Sequence, residues 1–193
     1  MGMPATERTW TRDEVLDLIA RNPLPTPRYE LVDGVLLVTP APSRLHQFAV
    51  TTMLRLLAEY LDSQPGVGSV LPSPADVMPE PGVTVGPDVF VMAPDEARRV
   101  EDKGPIRDVV LVVEVLSPGD RSGDRGRKRR LYQRTIPEYW IVDAEERHVE
   151  RWFPHAVLPV VVTERLEWHP AAASAPFVLD VARYFAKVYG EDR

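Results

Sequence analysis

Residues 109–116 read Val-Val-Leu-Val-Val-Glu-Val-Leu, apolar at odd and even positions alike. A strand with one wet face alternates in polarity. A run without alternation therefore needs cover on both faces, as a central strand between two helical layers has. Residues 138–143, Glu-Tyr-Trp-Ile-Val-Asp, have the same character, and the stretch between the two runs contains about 123–134, which is long enough for a helical crossover. The spacing predicts a strand, a helix and a second strand parallel to the first. The expected fold class is α/β with a mixed sheet.

The remaining elements fit around that unit. Thr11 and Glu14 match a capping box ahead of Val15, Leu16, Leu18 and Ile19, which predicts an N-terminal helix over 11–21 stopped by Asn22 and Pro23. Two apolar runs, 29–32 and 35–38, flank Asp33-Gly34, a strong hairpin signal. Ser43 can cap a core-packing helix carrying Phe48, Leu54, Leu57 and Leu61 and ending near Gly66. Further strands are expected at 69–77, 84–92, 149–153 and 159–166, and a closing helix at 178–188. With 193 residues and no long linker, the expectation is one domain over 1–193. Its core is expected at about 27–153, with a C-terminal strand and helix extension at 158–189.

Composition removes several chemistries. The chain has no cysteine, which excludes disulfides, thiolate nucleophiles and Cys-based zinc sites. It has no apolar run of membrane-spanning length, and its first ten residues are polar, so a cytoplasmic protein without a membrane partner is expected. Neither G-x-x-x-x-G-K-[ST] nor H-E-x-x-H nor G-x-S-x-G is present.

The net charge of −6 hides a local reversal. Between Arg121 and Arg134 stand seven basic residues and one acid, Asp124, a local charge of +6. Such a patch suits a polyanion, although a solvated helix face is the commoner outcome. Glu114 is the sharper signal, because an ionised carboxylate in that apolar run is costly unless paired or bound to a cation. Asp88, after Pro87 and ahead of an alternating run, gains meaning only beside such an acid. Two carboxylates on adjacent strands can hold Mg²⁺ or Mn²⁺, and that ion suits phosphodiester hydrolysis. On a helix over 123–134, Asp124, Lys128, Leu131 and Tyr132 share one face, while Arg127, Arg130 and Arg134 share another. Lys128 is then the inward cation, able to steady a phosphate or an attacking water, or simply to pair with Asp124 or Glu114. The outer arginines can grip a nucleic-acid backbone.

As an ordered set, these residues resemble a known family. The set comprises Tyr29-Glu-Leu-Val-Asp-Gly34, Thr39-Pro-Ala-Pro-Ser43 with His46, Gly86-Pro-Asp88, Val113-Glu-Val-Leu-Ser-Pro118, Asp124 with Lys128, and Pro137-Glu-Tyr-Trp-Ile-Val-Asp143. Over about residues 27–143 the chain is similar to the Uma2 family of restriction-endonuclease-like proteins. The resemblance implies a PD-(D/E)XK core, here with an N-terminal helix and a β-hairpin extension, and metal-dependent cleavage of nucleic acid. Asp88 matches the PD aspartate and Glu114 the (D/E) position. The strand-borne lysine is replaced by Leu116, and Lys128 on the following helix matches the position that takes over in Uma2-like sequences. Arg127 stands where the family often has an acid. Glu30 matches a family acid near the metal or its water, or serves the hairpin surface. His46 is placed to touch phosphate or to hold the helix start.

The implied partner is nucleic acid, DNA first, and a homodimer suits the cutting of two strands. The runner-up is a module on the same fold that binds nucleic acid or protein without cleaving, its carboxylates kept for folding.

Overall fold

The computed structural model describes residues 8–24, 26–99, 104–117 and 123–192, and of residues 123–125 the backbone. In chain order the elements are α1 (Arg12–Arg21), β1 (Arg28–Val32), β2 (Val35–Thr39), α2 (Arg44–Ser63), β3 (Ser69–Pro72), β4 (Val89–Met92), α3 (Pro94–Ala97), β5 (Val109–Val115), α4 (Gly123–Thr135), β6 (Tyr139–Asp143), β7 (His148–Trp152), β8 (Val160–Val162), β9 (Arg165–Trp168), β10 (Phe177–Asp180) and α5 (Val181–Tyr189).

Six strands form one sheet in the order β3-β4-β5-β6-β7-β8. All neighbours are antiparallel except β5 and β6, which run parallel with α4 as their crossover. The run that demanded cover on two faces has it. Leu111, Val113 and Val115 join Met53 and Leu57 of α2 and Phe185 of α5 in one apolar layer. Val112 lies in the opposite layer with Leu131 and Tyr132 of α4 and Ile136 just after it. Successive strand residues point to opposite faces, so Glu114, two residues after Val112, lies under α4. The capping box at Thr11 forms as read, its side chain accepting from the Glu14 backbone and its own N–H donating to the Glu14 carboxylate.

Five expectations need correction. The strand expected at 84–92 forms only over Val89–Met92, while Thr84 and Val85 make isolated bridges to Leu31 and Val77. Phe48 is 49% exposed, because the buried stripe of α2 runs through His46, Ala49, Val50, Met53, Leu57 and Leu61 and leaves Phe48 on the outer side. The strand expected at 69–77 stops at Pro72, and Val77 makes only isolated bridges to Val85 and Ile106. The strand expected at 159–166 is two strands separated by a bend at Thr163 and Glu164, β8 in the main sheet and β9 paired with β10. Residues Phe177–Asp180, of which Phe177 had no assignment and the other three were expected to open the closing helix, alternate buried and exposed as a strand. Asp180 then caps α5 by accepting from the Arg183 N–H.

The segment from β9 to α5 is more than an appendage. Leu166, Trp168, Phe177, Leu179, Tyr184 and Phe185 all enter the α2-side layer. Among the described residues no helix is long and apolar enough to cross a membrane.

Candidate active site

The hairpin delivers the first components. Asp33 and Gly34 both have positive φ, +51° and +76°, as a tight primed turn requires, and β1 pairs with β2 from Val32↔Val35 outward. Alternation along β1 sets Arg28 and Glu30 on one side. Glu30 is buried, and its Oε1 accepts from the Gly86 N–H at 2.8 Å while its Oε2 accepts from Thr39 Oγ1 at 3.3 Å. The surface role open to Glu30 in the sequence is therefore not the one it takes.

α2 supplies the next component. Ser43 caps the helix by accepting from the His46 N–H, which fixes His46 in the first turn. Its Nε2 lies 3.0 Å from Asp88 Oδ2, and its Nδ1 is buried with no partner among the described residues. Because Asp88 accepts, Nε2 carries the proton in this arrangement.

Asp88 precedes β4 and is tied to its neighbouring strand directly. Its Oδ2 also accepts from the Val115 N–H at 2.9 Å, and its Oδ1 accepts from Arg28 Nη2 at 3.2 Å. Burial alone would raise its pKa. The His46 hydrogen bond and charge, the Arg28 guanidinium and the Val115 N–H outweigh burial and hold the carboxyl down at about 2.

Glu114 is the opposite case. Lys128 Nζ donates to its Oε1 at 2.9 Å, Tyr132 Oη donates to the same oxygen at 3.0 Å, and Lys128 Nζ also lies 2.9 Å from Glu30 Oε1. Burial pushes the Glu114 carboxyl up, Lys128 opposes, and the negative charges of Asp88 and Glu30 push up again, leaving it at about 7. Lys128 is held above its ordinary range, because Glu114 and Glu30 together outweigh its own burial. The two neighbouring carboxylates thus share one ammonium, and the cluster holds more negative charge than its cations cover.

This imbalance has a pH signature. Glu114 is protonated in the folded chain up to about 7 but ionises near 4.5 when unfolded, so the folded form binds more protons between these values. Stability of the metal-free chain is expected to fall as pH rises through that window, by on the order of 3 kcal/mol. Asp88, lowered from 3.8 to about 2, loses its contribution only as pH falls below that window. Urea denaturation at about pH 5 and about pH 8 checks this, and Glu114→Gln should flatten the difference.

Arg28, Glu30, His46, Asp88, Glu114 and Lys128 line one pocket, together with Leu116 and Tyr139. Five of these six were singled out in the sequence. Arg28 was not, although its position two residues before Glu30 on a strand is a legible signal for a shared face. Tyr132 was placed on the inward face of α4 without a site role, and its buried hydroxyl is bonded to Glu114. The Asp124 side chain lies outside the described residues, as do Arg121 and the side chain of Arg125. Of the outer arginines, Arg130 is exposed, Arg127 is half-buried and engaged, and Arg134 is paired with Glu80 and, at 2.7 Å, with Asp33. Arg129 lies over the Trp152 ring, 4.5 Å from its centre.

Among the described residues no three His, Asp or Glu side chains converge to hold a metal by themselves. A magnesium-like ion asks for less, since it takes one or two carboxylates and fills its shell with water and phosphate oxygens. The donor set of the pocket is rich in carboxylate oxygen and short of positive charge, and so fits a hard divalent cation.

A model of the Uma2 family, described as "Putative restriction endonuclease", matches residues 13–182. The chain belongs to the Uma2 family. It is also similar to the crystal structure of a protein described as "a putative nuclease belonging to DUF820 from Anabaena variabilis ATCC 29413". The TM-score is 0.69 at 20% identity, over 92% of this chain and 98% of that one. At that identity the likeness speaks for the fold, a restriction-endonuclease-like one. No curated protein matches the chain. The Uma2 match extends past the resemblance read at 27–143 to both ends, taking in most of α1 and all of β9 and β10.

Proposed function

We propose that this Uma2 chain is a divalent-metal-dependent endonuclease, hydrolysing phosphodiester bonds in nucleic acid, DNA first, with Mg²⁺ or Mn²⁺ held by Asp88 and Glu114. The observation that carries this reading is Glu114 itself. A carboxylate buried beside two others is left short of positive charge, in a pocket that also holds a fixed ammonium. When bound, the ion supplies Lewis acidity toward the phosphate and lowers the pKa of a water.

The chain's own residues do the rest. Asp88 stays ionised throughout the physiological range and, fixed by Val115 and His46, offers a rigid oxygen donor. Glu114 gives up its proton to become the second donor. Lys128 is aimed by the two carboxylates it bridges, and its charge is placed to stabilise the negative charge that develops on a scissile phosphate. Glu30 positions Lys128 through the 2.9 Å contact. Tyr132 positions Glu114 through its hydroxyl, donated from α4.

Arg127, Arg130 and Arg134 extend the reading to the polyanion. Charge reversal of Arg130 is expected to weaken DNA binding and to reduce the salt slope by about 1, measured by fluorescence anisotropy across salt concentrations. Charge reversal of Arg134 should cost stability first, because it sets like charges against Glu80 and Asp33. A homodimer belongs to the same reading, since two sites cut a duplex most simply.

One observation favours the non-cleaving alternative. Arg28 and Lys128 already pair Asp88 and Glu114 in the metal-free chain, as a purely structural network would require. Incubation with mixed DNA and RNA substrates and Mg²⁺ or Mn²⁺, beside Glu114→Ala, separates the two. Metal-dependent cleavage that Glu114→Ala abolishes supports the nuclease. No cleavage by either protein, with a stability loss in the variant, supports the binding module.

A further inference from the structure

Arg28 enters none of the steps above, yet its guanidinium lines the same pocket as Lys128. Its Nη2 contacts Asp88 Oδ1 at 3.2 Å, while its Nη1 donates to Ser73 Oγ at 2.8 Å and to the Gly86 carbonyl at 3.1 Å. Two of its three partners are therefore neutral groups on the loop leading into β4. They hold the guanidinium in place whether or not Asp88 does. Its side chain is 22% exposed and lines the pocket with Asp88 and Glu114.

We propose that Arg28 is a resident cation of this site, standing in place of a second metal ion, so that the pocket takes one divalent cation and Arg28 meets the phosphate from the Asp88 side. The inference rests on the nuclease reading and deepens it. Two-metal phosphodiester centres set their ions about 3.5–4 Å apart. A carboxylate shared between them must turn an oxygen toward each ion. Asp88 has Oδ2 committed to the Val115 N–H and to His46, both buried, and releasing them would leave buried donors unpaired. Its Oδ1 faces Arg28. Glu114 is equally unsuited, since the oxygen that receives Lys128 also receives Tyr132.

Charge points the same way. Leaving His46 aside, with Glu30, Asp88 and Glu114 ionised against Arg28 and Lys128 the pocket carries −1. One divalent cation brings it to +1 and one phosphodiester to zero. A second divalent cation would leave an uncompensated +2 in a largely buried cluster, which is costly. The guanidinium has five N–H donors in a planar fork, and its three bonds leave donors for a phosphate oxygen.

The test is titration of the intact metal-free chain with Mn²⁺ by calorimetry, with the spin state followed by electron paramagnetic resonance. One Mn²⁺ per chain with an uncoupled spectrum is the expected result. Two ions with a coupled spectrum overturn the inference and leave the nuclease reading standing. No binding overturns the nuclease reading, and this inference with it. A second arm uses Arg28→Met, which removes a competing positive charge and should tighten Mn²⁺ binding about tenfold or more, while raising KM for DNA. A residue that merely holds the fold would weaken Mn²⁺ binding when removed, so unchanged or weaker binding in folded Arg28→Met overturns the proposal. If that variant does not fold, the wild-type stoichiometry still decides.

Discussion

Lys128→Met is expected to reduce phosphodiester cleavage about 100-fold or more, measured per folded molecule. The ammonium is the inward cation of α4, and it lies 2.9 Å from both Glu114 and Glu30. Arg129→Met should do far less, because that guanidinium lies over Trp152. Stability is affected as well, since the variant leaves Glu30 and Glu114 close together without their shared counter-charge, at a cost of about 3–5 kcal/mol unless Glu114 stays protonated. The two effects can be separated. Adding Glu30→Gln to Lys128→Met removes one of the opposed charges and should restore much of the stability while cleavage stays low. A double variant that recovers both would make Lys128 a structural counter-ion only.

Asp88→Asn is the second large effect. The substitution keeps the shape but replaces an acceptor-only group with one carrying an N–H₂. Whichever way the amide turns, it points donors either at Arg28 or at the Val115 N–H and His46. Loss of metal binding, loss of cleavage by about 100-fold or more and a destabilisation of about 3–5 kcal/mol are expected. Calorimetry with Mn²⁺ and urea denaturation of the metal-free protein measure the two losses. Adding Arg28→Met should relieve part of the stability loss and none of the cleavage loss. An Asp88→Asn protein that binds Mn²⁺ like the wild type would remove Asp88 from the metal site.

How far these residues could be read from sequence follows from the range of the forces that place them. The central strand was legible because burial on both faces leaves a composition without alternation, and α4 was legible because Asp124, Lys128, Leu131 and Tyr132 fall at i, i+4, i+7 and i+8. Glu114 stood out as a charge set in an apolar run, and Lys128 as the cation on the helix face that carries Leu131 and Tyr132. Arg28 was missed because its spacing from Glu30 gives a shared face but not the partners that bring it into the site. Its partners Ser73, Gly86 and Asp88 are reached only when the hairpin folds over the loop that precedes β4. Glu30 remained ambiguous on similar grounds, as its burial depends on Gly86 and Lys128, both distant in sequence. The strand Phe177–Asp180 was absorbed into the following helix because its four residues give a period of two little room beside the longer apolar stripe of α5. Phe48 misled because it falls only broadly in step with Leu54, Leu57 and Leu61, whereas the buried stripe runs through Ala49, Val50 and Met53.

The nuclease reading stands or falls on whether a divalent ion enters this pocket through Asp88 and Glu114. The most direct measurement is anomalous scattering from crystals of the chain soaked in Mn²⁺, collected for wild type and for Glu114→Ala. A single anomalous peak in contact with the Asp88 and Glu114 carboxylates, lost in the variant, is the predicted result. Full occupancy of Mn²⁺ elsewhere on the chain, or a pocket in which Arg28 and Lys128 keep both carboxylates and no peak is seen, would contradict it.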